Sequence, residues 1–386
     1  MCSCARPSSP RGGRGWKLSS SGPSLPVAGR TAKDSRPAGF VNRPEAPGAT
    51  GGERRNRVHY VKSARLVDRS RPVPSFSLTR RDVLQAGIAA LAAPLALRGA
   101  EDPPLRIVDT HTHFYDPTRP QGVPWPSPDD KFLYRPVLPD EYRRLAEPLG
   151  VMGTVVVEAS AWAADNQWVL DLAAKNPFLL GLVGNLPPGT DDFREHFPQL
   201  VKQPKWLGIR VNAGPLAKGL DQPAFLADLA RLADAGKELD VNGRPDLLPL
   251  VDQLATKLPN LRIVINHLAN VRIDGPNVPN QWRTELHAAA KHPRVFLKVS
   301  ALVEGASQGN RKAPTDPAYY EPMLDATWAA FGDDRVIYGS NWPVSARFAD
   351  YGTVQRIVQQ YVRAKQPQAL HKFFMVNAQT AYRWPA

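Results

Sequence analysis

Three histidines and one asparagine stand where their spacing could build a reactive site. In Val108-Asp109-Thr110-His111-Thr112-His113, the alternation of side chains along a strand predicts that Asp109, His111 and His113 share one face. Neutral imidazoles can ligate a divalent cation, and an imidazolium can polarise a carbonyl oxygen. His267 closes the apolar run Val264-Ile265-Asn266, and Asn341 follows Tyr338-Gly339-Ser340. Arg210 ends Gly208-Ile209-Arg210, and Lys298 lies within Phe296-Leu297-Lys298-Val299-Ser300. Arg210 could hold a carboxylate through two parallel hydrogen bonds and Lys298 could support an oxyanion, although either serves equally well as a salt-bridged scaffold residue. Trp125 and Trp162 could stack on a sugar ring or simply pack at a rim. His59, His196, His287, His292 and His371 fall in the N-terminal tail, on helices or on outer loops, and read as solvated or capping residues.

Scattered side chains of this kind need a scaffold that brings strand ends together. From residue 105 onward, eight short apolar runs (105–109, 153–158, 179–184, 207–211, 238–241, 262–266, 295–299 and 335–339) alternate with stretches of helical spacing, such as Phe225-Leu-Ala-Asp-Leu-Ala-Arg-Leu. Parallel strands covered by helices give this alternation. The expected fold class is α/β, a (β/α)8 TIM barrel, whose catalytic groups sit at the C-terminal ends of the strands. No G-x-G-x-x-G or P-loop follows the first strand, which argues against a doubly wound dinucleotide-binding sheet.

Charge separates the chain into parts. Residues 1–100 carry 18 Lys and Arg against 5 Asp and Glu, which is the entire excess of +13, and residues 101–386 are neutral with 31 of each. A nucleic-acid partner is therefore excluded for the barrel. Residues 1–75, rich in Arg, Pro, Gly and Ser, read as a disordered basic extension. Within 76–100, Arg80-Arg81 precedes an apolar run over 86–97, the order of a twin-arginine signal that directs export through the twin-arginine machinery. That run is shorter than the ~20 residues a membrane span needs. Residues 101–386 form the barrel domain. Both cysteines, Cys2 and Cys4, lie in the tail, so the barrel has no thiolate to offer and any metal must be held by His, Asp or Glu.

Six segments in order resemble the amidohydrolase-related branch of the amidohydrolase superfamily, over about residues 105–384, and in particular its L-fuconolactonase, L-rhamnonolactonase and 2-pyrone-4,6-dicarboxylate lactonase group. They are Val-Asp-Thr-His111-Thr-His113-Phe, Leu-Gly-Ile-Arg210, Pro-Asn-Leu-Arg-Ile-Val-Ile-Asn-His267, Trp282 with Val-Phe-Leu-Lys298-Val-Ser, Gly339-Ser-Asn341-Trp-Pro-Val, and Asn377-Ala-Gln-Thr-Ala-Tyr. The resemblance implies a hydrolase opening the ring of a sugar-acid lactone. Two departures matter: metal-dependent relatives carry a histidine on strand five, where Glu238-Leu-Asp-Val-Asn242-Gly has none, and Asn341 replaces the Asp that activates water on strand eight. An amide can orient a water and cannot take its proton. With only His111, His113 and His267 left as ligands, no cofactor is expected to be required, and a divalent ion such as zinc would be weakly held. The expected mechanism has His111 and His113, with Arg210 or Lys298, polarising the carbonyl while water attacks from the side of Asn341 and His267. His267 is the expected base, with Glu158, Glu304 and Asp109 in reserve. The alternatives are a metal-dependent decarboxylase of the same branch and a catalytically weakened barrel that binds sugar acids.

Overall fold

The computed structural model describes residues 105–307 and 312–385. The basic extension and the twin-arginine segment lie outside the described residues. Eight parallel strands pair in sequence order. They are β1 (Ile107–Thr112), β2 (Val151–Val157), β3 (Leu179–Gly184), β4 (Trp206–Asn212), β5 (Glu238–Asn242), β6 (Arg262–Ile265), β7 (Val295–Val299) and β8 (Val336–Tyr338). The first strand runs three residues beyond its expected end, so His111 lies inside β1. Thr112 bridges Trp342 in parallel and the His113 N–H donates to the Trp342 carbonyl across 2.9 Å, which brings the last strand back to the first.

Strands rich in Val, Ile and Leu are buried on both faces, as a parallel sheet wrapped by helices requires. Ile107, Val156, Ile209, Leu239, Ile263 and Leu297 pack outward into a large core shared with the helices. Val108, Val155, Val183, Val264, Phe296 and Ile337 pack with Ala378, Ala381, Tyr382 and Trp384 in a second, inner cluster. The C-terminal helix (Asn377–Tyr382) thus contributes to the barrel's interior packing. Two glycines permit close approaches: a Cβ on Gly208 would lie 2.1 Å from the Glu238 carbonyl, and one on Gly339 would lie 2.8 Å from the Cβ of His111.

Helices begin where the chain supplies caps. Thr190 accepts from the Phe193 N–H at the start of Asp191–Leu200, and Asp350 accepts from Thr353 at the start of Tyr351–Lys365. Pro223 stands in the first turn of Pro223–Asp234, whose Phe225, Leu229 and Leu232 are buried. No described helix is long and apolar enough to cross a membrane.

Candidate active site

His111, His113 and His267 converge as expected. The ring of His111 lies 4.9 Å from that of His113 and 4.3 Å from that of His267, centroid to centroid. Asp109 does not join them. The β1–β2 register breaks between Asp109 and Thr112, so simple alternation fails there. The Asp109 carboxylate instead accepts from Tyr142 and Tyr351 hydroxyls (2.7 and 3.2 Å) and from the N–H groups of His111 and Ser340 (3.1 and 2.8 Å). It ties β1 to the start of the strand-eight loop, and burial raises its pKa.

Lys298 takes the second of its two expected places, that of a salt-bridged scaffold residue. It is fully buried, and its Nζ donates to Asp240 Oδ2 at 2.8 Å, to the Thr110 carbonyl at 3.0 Å and to His111 Nδ1 at 3.2 Å. An ammonium has three hydrogens and no lone pair, so all are committed and His111 Nδ1 must accept. The His111 proton is therefore on Nε2, which has no partner. Lys298 cannot meet an oxyanion directly; it fixes the tautomer of the ring that can. Asp240, held from its other side by Tyr382 at 2.9 Å, completes the support. Sequence reasoning missed Asp240 and Tyr382, although an Asp on the inner face of a barrel strand is itself a signal that a cation faces it.

His113 has the opposite tautomer. Its Nδ1 donates to the Val157 carbonyl at 2.9 Å, which leaves Nε2 as a bare lone pair. Burial, aided by Arg210, pushes its pKa down to about 3. His267 contacts Ser300 Oγ through Nδ1 at 2.8 Å, and burial, with Lys298 and Arg210 nearby, holds its pKa well below the usual imidazole range. The expected base is thus poorly suited to take a proton. His267 begins a left-handed run through Asn270, and the Trp282 indole N–H steadies it by donating to the Leu268 carbonyl at 3.0 Å. Strain of this kind is kept where the surroundings over-determine it, and functional sites are where it gathers.

Asn341, also left-handed at φ 60°, donates through Nδ2 to Glu304 Oε1 at 2.8 Å. Glu304 Oε2 has no partner, and burial pushes the carboxyl up to about 7. Arg210 is paired rather than free: Nε and Nη2 lie 2.8 and 2.7 Å from Glu158 Oε1. Arg210, Glu158, His113 and Trp125 line one cleft of about 310 Å³. Trp125 packs against His113 at 5.7 Å. Trp162 is 40% exposed and lies outside that lining. His292 is paired with Asp252, in line with a scaffold role.

The imidazoles fit a metal poorly. His113 offers a lone pair, but Nε2 of His111 carries hydrogen and could ligate only if the Nδ1 proton faced the Lys298 ammonium. Among the described residues, no group of three or more His, Cys, Asp or Glu is placed to hold an ion. Asn242, at the strand-five position, bonds Asn212 and Asn270 instead.

The family model described as "Amidohydrolase" matches residues 108–384. The chain is 30% identical to an L-fucono-1,5-lactonase of Burkholderia ambifaria over 282 residues, 72% of this chain and 95% of that one. Among solved structures, a zinc-bound amidohydrolase from Burkholderia multivorans superposes with a TM-score of 0.66 at 24% identity, covering 72% of this chain and 100% of that one. A probable 2-pyrone-4,6-dicarboxylic acid hydrolase from Acinetobacter baumannii gives 0.57 at 17% identity, covering 72% of this chain and 100% of that one. Both carry the same barrel.

Proposed function

Because the chain belongs to the amidohydrolase family, we propose that it is a lactonase, adding water to the cyclic ester of a sugar acid to give the open hydroxy acid. The likeness to L-fucono-1,5-lactonase supports the substrate class. The observation that carries the mechanism is a carboxyl held near pH 7, Glu304, hydrogen-bonded to Asn341 beside the imidazole cluster.

The unpartnered Nε2–H of His111, backed by Lys298, donates to the lactone carbonyl oxygen and stabilises the charge that develops there. Ionised Glu304 takes the proton of an attacking water through its free Oε2, while Asn341 fixes Oε1. The ring oxygen leaves as a hydroxyl, carrying the proton released by the water. Trp125 and the paired Arg210 shape the cleft. Glu304 supplies the carboxylate that Asn341 lacks, which weighs against a weakened binder, and no step runs through a metal. Purified chain assayed on L-fucono-1,5-lactone and related lactones should release acid. No turnover across such a panel would refute the reading.

We propose also that the chain is exported. Arg80-Arg81 followed by the apolar run over 86–97 supports it. Fractionation of cells expressing wild type and the Arg80→Lys, Arg81→Lys pair tests it: wild type outside the cytoplasm and the pair retained is expected, and equal cytoplasmic retention of both would end the proposal.

A further inference from the structure

The cleft at His113 continues past Arg210. A second cleft of about 310 Å³ adjoins it, and Asn185, Arg210 and Asn212 line both. Ligand sites begin at ~300 Å³, so the first cleft alone holds one lactone ring and the second has room for another unit of similar size.

An asparagine ladder builds the junction. Asn270 Nδ2 donates to Asn242 Oδ1 at 3.0 Å, and Asn242 Nδ2 donates to Asn212 Oδ1 at 3.0 Å. Asn270 is anchored in turn, since its Nδ2 also reaches the Gly243 carbonyl at 2.8 Å. Each amide oxygen is used by the amide before it, so the ladder has a direction. It ends on the Asn212 NH2, which has no partner among the described residues and belongs to a side chain lining both clefts.

The junction between the clefts favours a neutral occupant. Glu158 answers Arg210 at 2.7 Å, so that cation is not free to hold a carboxylate. Beyond the junction stand the amide of Gln222 and an exposed Lys218, with Pro187 and Pro215 as an apolar surface; the Thr190 hydroxyl there is taken up by the Pro187 carbonyl and the Phe193 N–H. Amide groups beside an apolar wall match a polyol ring, which has hydroxyls at its rim and C–H groups on its face.

Resting on the lactonase reading, we propose that the preferred substrate is a disaccharide-derived lactone, with its lactone ring at His113 and a neutral glycosyl unit in the second cleft. Hydrolysis adds one water: the acyl carbon gains the water oxygen, the ring C–O bond breaks, the ring oxygen leaves as a hydroxyl, and the glycosidic bond is untouched.

The test compares glucono-1,5-lactone with its 4-O-glucosyl derivative, cellobiono-1,5-lactone, on the full chain. At least tenfold higher kcat/KM is expected for the disaccharide lactone, with Gln222→Ala removing most of that advantage and leaving the monosaccharide value unchanged. Equal or better turnover of the monosaccharide lactone, insensitive to Gln222→Ala, overturns the second subsite and leaves the lactonase reading standing. If neither lactone is hydrolysed, calorimetric binding decides: cellobionate bound at least tenfold more tightly than gluconate, and weakened in Gln222→Ala, supports the subsite alone, whereas equal binding overturns it.

Discussion

The Nζ of Lys298 lies 3.2 Å from Nδ1 of His111, with Asp240 and the Thr110 carbonyl taking its other hydrogens. A buried ammonium thereby decides which nitrogen of a neutral imidazole carries the proton, and aims an unpartnered N–H from the far side of the ring. Lys298→Met should uncouple that tautomer and strand Asp240 without its cation. Removing one partner of a buried pair costs about 3–5 kcal/mol, so the melting midpoint should fall. Asp240→Asn/Lys298→Met, assayed together, should recover stability and not kcat. Recovery of both would show that Lys298 is purely structural.

Glu304 sets the pH dependence. Its pKa is raised to about 7, so the basic form is populated as pH rises through that value, and kcat/KM should climb across the same range. Glu304→Gln should abolish that limb and lower kcat by about 10²–10⁴-fold. Stability runs the other way. A carboxyl raised in the folded state contributes fully below the unfolded value of about 4.3 and loses that contribution as pH climbs to about 7. Glu304→Gln should therefore be more resistant to urea than wild type at pH 8. A kcat/KM profile of Glu304→Gln superposable on wild type would remove the base from this position.

Asn341→Asp introduces a second carboxylate in the place of the amide that now contacts Glu304 at 2.8 Å. Two carboxylates that close share a proton, and the limb near pH 7 should move upward by a unit or more. Activity at pH 7 should drop. A gain there would mean that the natural protein lacks its base and that Glu304 is not it.

Chelation should leave kcat within about twofold, because a metal at His111 requires the tautomer that the Lys298 ammonium opposes. Loss of turnover in chelator with recovery in zinc, followed by atomic absorption, would contradict that assignment of the proton.

Gly339→Ala puts a methyl 2.8 Å from the Cβ of His111. Overpacking of this kind costs about 1–3 kcal/mol. The ring of His111 should shift, with kcat falling more than KM rises. An unchanged kcat would show that the placement of His111 is not critical.

How much was legible follows from which interactions are local. The barrel is written in the alternation of apolar runs and helical stretches, because burial on both faces of a strand and on one face of a helix leaves its own period in the sequence. The histidines were legible too, since the end of a barrel strand is a fixed address. The sequence by itself therefore determined the fold class and that His111, His113 and His267 face one place. Only the tertiary structure decided that Asp109 turns away through a break in register, that Lys298 spends its hydrogens below the site, and that Glu304 rather than His267 is the group tuned to about 7. Proton positions and pKa values come from partners more than a hundred residues apart, such as His111 with Lys298, and from burial that no local pattern records.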